Sequence, residues 1–140
     1  ARFVKEYQLV HRRSSIGQSY RKLQCASEFC SLMVQNAPHI AEPTILYEIT
    51  ERTLNAFGEK GSPEIISLKA LYLILKDEGY PVRESWWPQL SARLREPARQ
   101  LINDPSPESA AAEQIKICTE IHQNLRNWLS YETDLVLPHL

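Results

Sequence analysis

The chain has 140 residues, a length that fits one domain, and 43% of them are hydrophobic, enough for one core. Sixteen Lys and Arg against seventeen Asp and Glu leave a net charge of −1 at pH 7, so the overall charge points to no class of partner. Three cysteines without a CxxC spacing argue against a disulfide framework or a zinc ribbon and fit a reduced, cytoplasmic setting. The sequence shows the pattern of neither a signal peptide nor a transmembrane run, so neither is expected.

Residues 2–10, RFVKEYQLV, alternate in part and are rich in Val, Phe and Tyr, so they read as an extended entry segment. A lone strand does not stand by itself. Because the sequence starts at Ala1 inside this strand-like stretch, we expect a piece of a longer protein with its missing part upstream. His11, Arg12, Arg13 and two serines make a basic connection. The expected division is an extended basic segment over 1–15 and a helical domain over 16–140.

Residues 16–36 read as the first helix, with Ile16, Tyr20, Leu23, Ala26, Phe29, Cys30 and Met33 recurring at three and four. Residues 43–57 read as the second, opened by Pro43 and stopped by Gly58, with Ile45, Leu46, Ile49, Leu54 and Phe57 inward. The clearest element is SPEIISLKALYLILKDEG, residues 62–79. Ser62 suits an N-cap, Pro63 the first helical position, and Glu64 the positive end of the dipole. Gly79 suits a left-handed C-cap, and Pro81 cannot continue the helix. The residues between are apolar nearly all round, which marks a helix buried on most sides. It is too short, and too interrupted by Lys69, to span a bilayer. The expected fold is therefore all-α, a compact bundle of about five helices around this central one.

Residues 80–90, YPVRESWWPQL, carry no regular period. Two adjacent tryptophans cannot both face one way on a helix, so one should plug the core and the other cover the surface or a groove. A turn of helix is expected over 91–96, with Pro97 opening a further helix. NDPSPES then caps a last helix running to about Tyr131, with Ile115, Cys118, Ile121, Leu125 and Trp128 as its stripe.

Catalytic patterns are missing. The four glycines form no phosphate-binding loop. Cys118 and His122, four apart, could be half a metal site or a thiol–imidazole pair, but core packing explains both. Cys25 and Cys30, five apart, point about 140° from each other on a helix and cannot share a metal. Glu48 and Glu51 read as a solvated face. The expectation is a protein that is not an enzyme and carries no cofactor or metal.

Charge is unevenly spread. Residues 1–30 hold six basic and two acidic side chains, net +4, whereas residues 101–140 are net −4. Arg2, Lys5, Arg12, Arg13, Arg21 and Lys22 are interleaved with Phe3, Tyr7 and Tyr20. Cations for phosphates and aromatics for bases are what a single-strand binder needs. Two ordinary solvated faces would give the same counts.

Together FVKEYQLV, SYRKLQCASEF, a helix ending in LNAF and the apolar helix closing with DEGYP resemble the C-terminal part of the bacterial recombination mediator family RecO, over about residues 2–90. The resemblance implies a helical domain that follows an OB-fold, which is expected upstream of residue 1. It implies DNA repair and recombination, DNA binding, strand annealing, contacts with RecR and with the acidic, apolar-ended tail of the single-strand binding protein SSB, and no enzyme activity. Many members carry a four-cysteine zinc module after the Gly-Tyr turn. Here WWPQLSARLREP stands in that place, so no zinc is expected. An SSB-type tail needs an apolar pocket and a cation, which Tyr80, Trp86, Trp87 and Arg83 would supply. The alternatives are both tryptophans buried with the peptide elsewhere, and a helical protein-interaction module unrelated to nucleic acid. An enzyme of unknown type is a third reading with no residue pattern behind it.

Overall fold

A computed structural model of the chain describes residues 20–40, 43–59, 61–105, 110–135 and 137. These residues are all-α, with six helices and no strand among them: α1 (Tyr20–Asn36), α2 (Pro43–Gly58), α3 (Pro63–Asp77), α4 (Trp87–Gln89), α5 (Ala92–Asn103) and α6 (Ala112–Glu132). The extended entry segment expected before them, and Ile16 of the first helical stripe, lie outside the described residues.

The centre is α3, which packs against α1, α2, α5 and α6. Ile65, Ile66, Leu68, Ala70, Leu71, Ile74 and Leu75 are all buried, as a helix apolar on most sides requires. Its start differs in detail from the expectation. Ser62 is the N-cap, but its hydroxyl donates to Glu64 Oε2 (2.9 Å) instead of capping the backbone. The Ser62 carbonyl accepts the first helical N–H, from Ile66 (3.1 Å). At the other end the two bonds of a Schellman motif form, from Gly79 N to the Lys76 carbonyl and from Tyr80 N to the Leu75 carbonyl, each 3.0 Å. Gly79 takes φ +84°, where a side chain would strain the backbone.

Helices α1 and α2 pack on each other and on α3, with Phe29 and Phe57 stacked at a tilt 6.4 Å apart. Asn36, buried at the end of α1, donates to the Leu32 carbonyl (2.8 Å), so the polar group is satisfied. Two residues assigned to inner stripes face outward instead: Tyr20 is 81% exposed and Ile45 38%. Each lies in the first turn of its helix, where the packed face has not yet closed.

Proline 97 does not open a helix. It sits inside α5, which runs unbroken from Ala92. Leu94, Ala98 and Leu101 are buried against α3 and α6, and that packing outweighs one missing backbone bond. Helix α6 carries the expected stripe through Cys118, Ile121, Leu125 and Trp128, with Ile115 only half-buried. The tail beyond it stays docked through buried Leu135 and half-buried Leu137. No helix among the described residues is long and apolar enough to cross a membrane.

Candidate binding groove

The path from α3 to α5 is set by one proline. Pro81, at φ −80° and ψ 62°, closes an inverse γ-turn in which Val82 N donates to the Tyr80 carbonyl (2.8 Å). The chain then enters a π-helical turn, Val82–Trp86, and continues into α4. Turns of this kind are rare and concentrate at functional sites. This one turns Trp86 and Trp87 to different surroundings. Trp86 is fully buried; its Nε1 donates to Asn124 Oδ1 (2.9 Å). Trp87 is half-buried and meets the Trp86 ring edge-on at 6.1 Å. One tryptophan plugs the core and the other faces a groove, as the sequence suggests.

That groove holds about 290 Å³ and is lined by Tyr72, Arg83, Trp87, Arg99, Ile102 and Asn103. Of the four residues assigned to a peptide site, Arg83 and Trp87 are in it. Trp86 is excluded because it is core, and half-buried Tyr80 packs on the core without lining the groove. The sequence reading missed Tyr72, Arg99, Ile102 and Asn103. Arg99 with Ile102 and Asn103 has the three- and four-residue spacing of one helix face, a signal already contained in the helix read from Pro97 onward.

Both guanidiniums are exposed and oriented by neighbours. Arg83 Nε donates to the Tyr72 hydroxyl (3.3 Å), which raises its pKa further and keeps it cationic. Arg99 pairs with Glu96 one turn earlier, its Nε 3.1 Å from Oε2. That exposed pair holds the Glu96 carboxyl below its usual range but is open to solvent, so a partner carboxylate can compete for it. The groove thus offers an apolar floor beneath two cations.

A second, smaller groove of about 140 Å³ runs between α2 and α3, with Arg52 and Lys69 above Ala56, Ile66, Ala70 and Leu73. Lys69 Nζ donates to the Asp104 carbonyl, and burial lowers its pKa against the pull of Asp104.

The cations assigned to nucleic acid are only partly within view. Arg2, Lys5, Arg12 and Arg13 lie outside the described residues. Arg21 reaches across to α3, with Nε 2.8 Å from Glu64 Oε1, and also donates to Gln24. Burial raises the Glu64 pKa, but hydrogen bonds from Arg21, its own backbone and Ser62 outweigh it and hold the carboxyl below its usual range. Lys22 Nζ donates to the Glu59 carbonyl (2.9 Å). Arg21 therefore ties α1 to α3, and Lys22 ties it to the loop before α3.

No group of three or more metal-ligating side chains occurs among the described residues. Cys118 is buried, its thiol pushed up to about 12 by burial, which makes it an inert core group. Comparison with protein-family models, with curated proteins and with solved structures finds no match to this chain. Among the described residues the fold is all-α, with a cation-rimmed apolar groove beside the π-helical turn and a smaller one between α2 and α3.

Proposed function

We propose that the chain is a non-enzymatic binding domain of DNA repair and recombination, RecO-like in kind. It holds single-stranded DNA by its basic entry segment and receives an acidic, apolar-ended peptide of a partner protein in the groove beside Trp87. The observation that carries the protein-binding half is the pairing of Arg83 and Arg99 over Trp87, Tyr72 and Ile102. Carboxylates bind guanidiniums through charge-assisted hydrogen bonds, and half-exposed aromatics dominate such interfaces. The RecO-like sequence runs supply the DNA half and the partner identities, an SSB tail and RecR, and with them a cytoplasmic place.

The test is titration of a fluorescent acidic peptide with an apolar C-terminus. Arg83→Glu should weaken it more than tenfold with the melting temperature nearly unchanged, since the Arg83 side chain is exposed. Loss of affinity in Lys69→Glu instead would move the peptide to the α2–α3 groove. Undiminished binding in both variants would refute a peptide site on this surface.

A second reading, a helical protein-interaction module unrelated to nucleic acid, is favoured by the internal contacts of Arg21 and Lys22. DNA binding separates the two.

A further inference from the structure

Where α1, α3 and α6 meet, the core has a polar seam. Cys25, Glu28, Phe29 and Leu32 of α1, Ser67 and Leu71 of α3, His122 and Arg126 of α6, and Leu137 of the tail surround a slot of about 30 Å³. Ser67 Oγ is buried with no hydrogen-bond partner. A serine inside a helix commonly returns its hydroxyl to the carbonyl four residues earlier, here Pro63, but this one does not. The Cys25 thiol lies beside it, near enough to feel the hydroxyl. A neutral imidazole carries one N–H donor and one bare nitrogen, so His122 brings both a donor and an acceptor to the same slot.

Burying a hydroxyl without a partner is costly, so such atoms in native proteins are nearly always answered by a protein group or by ordered water. Size and charge choose the ligand. A water needs about 10–15 Å³ of such space and two to four polar neighbours, and the slot supplies both. No organic molecule fits. A cation is opposed by Arg126 and by a thiol that burial keeps protonated. An anion is opposed by Glu28 and by walls of Phe29, Leu32 and Leu71.

We propose that this slot is a binding site for a single structural water, hydrogen-bonded to Ser67 Oγ, to a ring nitrogen of His122 and to Cys25 Sγ. The water joins α1, α3 and α6 through these side chains. It gives Ser67 its missing partner. It also accounts for three polar residues meeting where α1, α3 and α6 come together.

The test is a high-resolution crystal structure of the whole chain and of Ser67→Val. The wild type should show one solvent peak within hydrogen-bond reach of both Ser67 Oγ and the His122 ring. In Ser67→Val, whose added methyl fills the slot, the peak should be gone. Water-to-amide magnetisation transfer at residues 25, 67 and 122 should fall several-fold in the same variant. Should that variant fail to fold, the wild-type peak alone decides. The proposal is overturned by a wild-type slot without solvent, by Ser67 bonded directly to Pro63 or His122, or by a metal at the peak.

Discussion

Shortening two leucines of the central helix tests the architecture quantitatively. Leu68 is fully buried and Leu71 is 3% exposed, so exposure alone predicts the same loss for both. Their surroundings predict otherwise. Leucine to alanine removes the transfer energy of the lost carbons, about 2–3 kcal/mol, and adds a cavity term that depends on how well the site can relax. Leu68 is at the centre of the packed core, so Leu68→Ala leaves a sealed void and should cost about 4–5 kcal/mol. Leu71 borders the slot of about 30 Å³ beside Ser67 and His122. Leu71→Ala widens a space that water can enter, so its cost should fall near the low end, about 2–3 kcal/mol. Urea unfolding followed by circular dichroism measures both. With slopes of about 1–3 kcal/mol per molar, the Leu68→Ala midpoint should drop by more than about 1 M, and further than that of Leu71→Ala. Equal losses would show that the slot does not soften the Leu71 site, and a loss below about 1 kcal/mol at Leu68 would show that α3 is not the centre of the core.

Other consequences concern titration and reactivity. Burial, with Arg126 and Arg21 nearby, pushes the His122 pKa down to about 4, from an ordinary value of 6.5. The folded state therefore binds fewer protons than the unfolded chain over that window. The stabilisation is complete above about pH 6.5 and is lost as pH falls toward 4, by no more than about 3 kcal/mol. Unfolding free energies measured from pH 7 to 4 should fall more steeply in wild type than in His122→Gln; parallel curves would contradict a buried neutral imidazole. All three cysteines are buried and the Cys118 thiol is held near 12, so a colourimetric thiol reagent should stay unreacted until denaturant is added. Rapid labelling of Cys118 in the native protein would mean that α6 is not packed on α3.

The legible parts of this chain were those fixed by local chemistry. Ser62-Pro63-Glu64 and Gly79-Tyr80-Pro81 mark the ends of α3 because a proline at the first helical position and a left-handed glycine act over a few residues. The contrast between the two tryptophans was also readable, since adjacent side chains cannot share a helix face. What escaped depended on partners distant in sequence. Pro97 looks like a helix start, but the burial of Leu94, Ala98 and Leu101 by α3 and α6 carries the helix through it. Arg21, read from the sequence as a phosphate ligand, pairs in the fold with Glu64, 43 positions away. Tyr72 joins the groove only because the Schellman turn and the π-helical turn fold Arg83 back onto it. The polar seam at Ser67 carries no sequence signal, because a lone serine on an apolar helix is common and its neighbours come from α1 and α6.

Salt dependence of DNA binding is the most direct test of the RecO-like reading. Each phosphate held by a cation releases counterions, so affinity for single-stranded DNA should fall with a slope of about one unit of log salt per contact. The titration is run at two salt concentrations on the wild type and on the double variant Arg12→Glu with Arg13→Glu. The account predicts measurable binding by the wild type and a slope shallower by about two units in the variant, with little change between DNA sequences. Absent binding, or a slope indifferent to the substitutions, would contradict it and leave a helical protein-interaction module in its place.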